Sequence, residues 1–220
     1  MATSNSRDFA LDASDVIEEA FERIGLEVRT GYQARTARRS MNIMFQDWSN
    51  RGINLWTVVQ ESTTMVQGTA QYVMNAYDID IVDAVIRRDG NDYVLDRMSR
   101  GDYLSVPNKT TQGRPTQIYV ERTSTPTFTV WPTPDNSTDT VVTHRVQRIQ
   151  DIDALTNDTD VPSRFIPAMV SGLAFYMAVK LAPEKAQMLE QMYEADFLRA
   201  SNEDSEHGSW RITPSAESYR

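Results

Sequence analysis

Cysteine is absent from the 220-residue chain, and histidine occurs only at His144 and His207. A disulfide scaffold, a thiolate metal site, a cysteine nucleophile and a histidine-rich metal centre are thereby excluded. Lysine is nearly as scarce: of 22 basic residues, only Lys109, Lys180 and Lys185 are not arginine. Long apolar runs are missing as well. The longest, around residues 170–179, falls short of the ~20 residues a membrane span needs. The polar residues 1–15 carry no signal-peptide pattern. No phosphate-binding glycine loop, nucleophile elbow or paired-histidine zinc motif occurs. These absences point to a soluble chain of a cytoplasm-like compartment, with no catalytic, cofactor-binding or metal-ligating residue to nominate.

Acidic residues number 31, giving a formal charge of −9. The imbalance is concentrated in residues 53–161, with 15 acidic and 9 basic residues. Such a chain lacks the electrostatic footprint of a protein that grips a phosphate backbone. The preference for arginine over lysine is that of side chains buried between protein partners, although genome base composition produces the same bias.

Residues 1–52 read as a helical hairpin. Val16, Ile17, Ala20, Phe21 and Ile24 recur at helical spacing, between an N-cap at Asp12 or Ser14 and a stop at Gly25. Thr30 and Gln33 have capping-box spacing and open a helix whose apolar face runs through Ala34, Ala37, Met41, Met44, Phe45 and Trp48. Residues 53–150 change to period two, with a hairpin signal at Asp89-Gly90-Asn91-Asp92 and strands at 117–121, 127–131 and 140–146. Residues 151–201 read as an acidic loop followed by a second helical hairpin. Its inward residues include Met169, Leu173, Met177 and Leu181, then Leu189, Met192, Tyr193 and Phe197. Residues 202–220 form a polar tail with Trp210, Ile212 and Tyr219 as its large apolar residues. The fold class expected is α+β: mainly a helical bundle, with an inserted small antiparallel β region and an extended C-terminal tail that docks on a partner.

Few residues suggest chemistry. Asp78 and Asp80, or Asp151, Asp153, Asp158 and Asp160, are acidic clusters without the spacing of a calcium loop; they read best as turn residues. His144 falls within a predicted strand and reads as structural. Arg35, Arg38 and Arg39 lie one helical turn apart, beside the apolar face of the second helix. They are either a solvated face paired with acidic neighbours or a contact with an adjacent subunit.

The run Asp15-Val16-Ile17, Ile24-Gly25, Ala37-Arg38-Arg39 and Trp48-Ser49-Asn50-Arg51-Gly52 resembles the head-to-tail adaptors of short-tailed phages (podoviruses), the tail tubular protein A-like and packaged-DNA stabilisation-like proteins. A second block, Val130-Trp131-Pro132-Thr133-Pro134, is followed by the acidic loop, Val161-Pro162 and an aromatic-rich helix, as in that group. The resemblance implies a structural virion protein of the tail, made in the host cytoplasm, with no enzymatic activity, cofactor or membrane partner. It implies a dodecameric homo-oligomeric ring between the portal protein and the tail nozzle protein, with DNA passing through the lumen without specific binding. On that reading Arg35, Arg38 and Arg39 are inter-subunit contact candidates, and Trp210, Ile212 and Tyr219 are portal-docking candidates. Two other classes remain open: a virion-associated peptidoglycan hydrolase, which needs a cleft with two opposed carboxylates, for which Asp151 or Glu121 could be proposed although nothing in the spacing favours them, and a monomeric intracellular binding module.

Overall fold

The computed structural model describes residue 5 and residues 11–52 and 55–204; Trp210, Ile212 and Tyr219 lie outside them. The elements are α1 (Ala13–Ile24), α2 (Gly31–Arg51), β1 (Val58–Thr64), β2 (Gln71–Val73), β3 (Asp78–Arg88), β4 (Asn91–Val94), β5 (Asp96–Arg97), α3 (Arg100–Ser105), β6 (Gln117–Glu121), β7 (Thr127–Trp131), β8 (Thr140–Gln147), α4 (Ile166–Leu181) and α5 (Pro183–Glu203).

Local chemistry sets the helix ends. The Asp12 carboxylate accepts the Asp15 N–H at 2.9 Å, and Gly25, at φ 79°, closes α1 in the left-handed conformation that favours glycine. Thr30 and Gln33 cap each other reciprocally at the start of α2, and Pro183 occupies the first turn of α5. The buried stripes of α1, α2 and α5 meet around α4, whose Met169, Leu173, Ala174 and Met177 are buried. Ser163–Leu181 is long and apolar enough to cross a membrane by length and composition, but 56% of its window is buried inside the fold. Here it serves as the central core helix. Leu181 and Met192, expected inward, are 42% and 43% exposed.

Helix α4 packs tightly against its neighbours at Gly172. A Cβ there would lie 2.6 Å from the Met44 sulfur and 2.8 Å from the Tyr193 ring. Methionine can move aside, but Tyr193 is held by the Trp48 indole N–H, which donates to its hydroxyl at 2.8 Å. Gly172→Ala should therefore destabilise the protein by about 1–3 kcal/mol through overpacking, overriding the ~1 kcal/mol that alanine gains in helix propensity. Urea unfolding of the variant checks this.

The strands form two four-stranded sheets, ordered β1-β8-β3-β4 and β2-β7-β6-β5. Asp89 and Gly90, at φ 52° and 78°, make the two-residue turn between β3 and β4; positive φ at both positions is what a type I′ hairpin requires. The sheets face each other across a second core, to which Ile81, Ile86 and Val141 contribute from one and Ile118, Phe128 and Val130 from the other. Most pairs are antiparallel, but β5 and β6 run parallel.

The expected helical bundle with a small antiparallel insertion is thus corrected. Helix accounts for 42% of the structure and strand for 25%, and the strands build two opposed sheets with a core of their own. The α+β class holds; the dominance of the bundle does not. Each strand has the local pattern of a half-buried ribbon, whereas the division into two sheets depends on which strands pair across long sequence separations.

Candidate interaction surfaces

Helix α2 carries two different sets of side chains on its faces. Its buried face ends in Trp48, whose ring lies 5.5–5.7 Å from those of Phe45, Phe165 and Phe197. Arg51, one turn on, stacks over Tyr193 and Phe197 with its guanidinium carbon 4.9 Å from each ring centre, and pairs with Asp47 and Glu194. Burial pushes the Tyr193 hydroxyl above the usual phenol range, and the donated Trp48 hydrogen bond opposes that shift. Trp48 and Arg51 therefore anchor the helical core.

The other face carries the arginines. Arg35 and Arg39 are exposed and Arg38 is half-buried. Arg39 donates to the Thr36 hydroxyl at 3.4 Å, and no carboxylate among the described residues pairs with any of the three. Many other arginines are paired within the chain: Arg87 with Asp92, Arg88 with Asp135 and Asp139, Arg97 and Arg122 with Asp80, and Arg164 with Asp204. The arginine preference thus accompanies internal ion pairs as well as a row on α2 with no carboxylate partner among the described residues.

Asn42, one turn beyond Arg38, clasps Ile152: its amide donates to the Ile152 carbonyl at 3.1 Å and its carbonyl accepts the Ile152 N–H at 3.0 Å. The clasp fixes the acidic loop against α2, with Ile149 and Ile152 buried in the helical core. Beside it opens a cleft of about 980 Å³ whose lining includes Gln46, Trp56, Tyr77, Arg148, Asp151 and Asp160. The Trp56 indole N–H, buried there, finds no acceptor among the described residues.

Sequence reasoning missed the role of Asp78. It opens strand β3 as a fully buried carboxylate that accepts from Arg145 at 3.1 Å and from Gln147 at 3.0 Å. The available signal was an acidic residue and an arginine at inward positions of two strands. Asp80 is held by Arg97 and Arg122. His144 lies exposed on β8. Asp151 lines the cleft and Glu121 does not, so the two carboxylates nominated for hydrolysis do not share it. Among the described residues, no group of His, Asp and Glu is arranged to hold a metal ion.

The described residues thus offer two packed cores and, on α2, three arginines with no carboxylate partner among them. Compared with known families, the chain matches the SU10 adaptor protein family over residues 12–214 and belongs to it. It is a phage structural adaptor protein. No curated protein matches the chain.

Proposed function

We propose that the protein is a head-to-tail adaptor of a short-tailed phage, joining portal to tail as a closed homo-oligomeric ring, twelve-membered on the resemblance, through which DNA passes. The observation that carries this reading is the family match across nearly the whole chain, and the arginine row, without a carboxylate partner among the described residues, gives it a contact surface. A ring needs heterologous contacts, in which one patch of each subunit meets a different patch of the next. Arg35, Arg38 and Arg39 are one such patch, and the acidic surface of the neighbouring copy is its complement. The lumen is expected to be neutral or acidic: repulsion within the Debye length of about 8–10 Å keeps a duplex centred, whereas phosphate contacts from Arg or Lys would hold it.

Reversing all three charges (Arg35→Glu, Arg38→Glu, Arg39→Glu) should abolish ring formation while leaving the far-ultraviolet spectrum and unfolding midpoint of the subunit near wild type. Solution mass measures the outcome. Normal rings from the triple variant would sink this contact.

The tail read from the sequence as residues 202–220 starts after Asp204, because α5 runs to Glu203; residues 205–220 are proposed to reach the portal, with Trp210, Ile212 and Tyr219 as apolar anchors of the kind that carry ~2 kcal/mol or more each in protein interfaces. The place to cut the chain follows from the fold. Asp204 is buried, accepts the Leu55 N–H at 2.8 Å and pairs with Arg164, so a truncation at Ser201 would damage the helical core. A chain ending at Asp204 should fold, yet fail to co-sediment with portal rings. Undiminished co-sedimentation would show that the tail is not the tether.

A further inference from the structure

The solvent faces of α1 and α2 carry opposite charge. Every exposed residue of α1 after Ser14 is acidic: Asp15, Glu18, Glu19 and Glu22. Glu19 pairs with Arg23, and the other three have no cationic partner among the described residues. The exposed stripe along α2 is Tyr32, Arg35, Arg39, Ile43, Gln46 and Asn50, flanked by the half-buried Arg38. Tyr32 is 67% and Ile43 57% exposed. Exposed tyrosine beside arginine is the composition of a protein interface rather than of a solvated helix face.

Each face is unfavourable by itself. Glu18 and Glu22 stand four residues apart, as do Arg35 and Arg39, and like charges at that spacing weaken a helix. Glu22 also lies in the last turn of α1, where the helix dipole disfavours a carboxylate. Contact between the two faces relieves both strains. No ion pair joins them within the described chain, so every copy offers both halves of a complementary contact to another copy. The acidic loop is the poorer complement. Gln46, on the arginine stripe, lines the same cleft as Asp151 and Asp160. Loop and stripe therefore share one flank of the subunit, whereas a heterologous contact needs two different patches.

We propose that the arginine stripe of α2 docks on the acidic face of α1 of a second copy, setting Arg35, Arg38 and Arg39 against Asp15, Glu18 and Glu22. The proposal rests on the ring reading and names the partner surface that reading leaves open. Each copy uses α2 on one side and α1 on the other, so the contact repeats from copy to copy until the ring closes. Tyr32 and Ile43 add apolar area to it, and Leu26, 39% exposed just past α1, extends the facing surface.

Charge exchange in the full-length protein, read by solution mass with and without the portal ring, tests the contact. Arg35→Glu with Arg39→Glu, and separately Glu18→Arg with Glu22→Arg, should each raise the concentration at half-assembly by about tenfold or more, because each sets like charges face to face. Combining all four substitutions restores opposite charges and keeps the net charge at −9; it should recover most of the lost assembly. Glu18→Gln with Glu22→Gln, which leaves helix propensity nearly unchanged, should weaken assembly in the same direction even if the arginine variant misfolds. Wild-type rings left intact by both α1 variants, or a folded fourfold variant that does not recover, would overturn the contact while the ring reading stands. Intact rings of the α1 variants that no longer bind the portal would assign the α1 face to the portal and overturn it equally. A wild-type protein that stays monomeric under both conditions would remove the ring reading, and this contact with it.

Discussion

Replacing Trp48 by alanine should cost about 3–5 kcal/mol of folding stability, a large part of the roughly 5–15 kcal/mol that a domain has in total. The indole is fully buried, packs against three phenylalanine rings from α2, the turn before α4, and α5, and donates to Tyr193. The alanine variant removes those contacts and leaves a cavity where α2, α4 and α5 meet. Tyr193→Phe separates packing from hydrogen bonding. It keeps the ring but leaves the buried indole N–H without its acceptor, and should cost about 1–3 kcal/mol. Denaturant unfolding at constant slope measures both. A Trp48→Ala cost under about 1 kcal/mol would mean that the helical core is not organised around this residue.

The second large effect is expected in the sheets. Asp78→Ala should destabilise by about 3–5 kcal/mol, because it leaves the Arg145 guanidinium buried without its counter-charge. Arg145 ties three elements together: it pairs with Asp78 of β3, donates to the Thr63 hydroxyl of β1 at 3.1 Å, and sits 5.6 Å from the Phe128 ring centre of the opposing sheet. Asp78→Leu combined with Arg145→Met removes both charges, and should recover most of the loss, since buried pairs are often replaceable by apolar groups of similar volume. The double variant being as unstable as Asp78→Ala would show that the packing around Arg145, rather than its charge, sets the cost.

These two sites differ in how far the sequence reveals them. The helical stripe ending at Trp48 is legible because spacing and caps are local: Asp12, Gly25, Thr30 and Gln33 each act within four residues of their partners. The hairpin turn at Asp89-Gly90 is legible for the same reason. The sheets are not, because β1 pairs with β8 and β2 with β7, and period-two patterning says which residues face inward without saying which strand lies alongside. Asp78 reads as a turn carboxylate in the sequence because its partner, Arg145, is 67 residues away. The arginine row is visible as a row, but whether the described residues supply it with intrachain partners depends on the positions of the neighbouring carboxylates. Leu181, the last residue of α4, and Met192, midway along α5, show the opposite error: apolar residues at inward-looking spacing that the described residues leave 42% and 43% exposed.

The most direct test of the adaptor reading is electron microscopy of the full-length protein mixed with its portal ring, with solution mass measured in parallel. The account predicts closed rings of the protein seated coaxially on the portal, lost when Arg35, Arg38 and Arg39 are changed to Glu. A protein that remains monomeric and leaves the portal bare would contradict it.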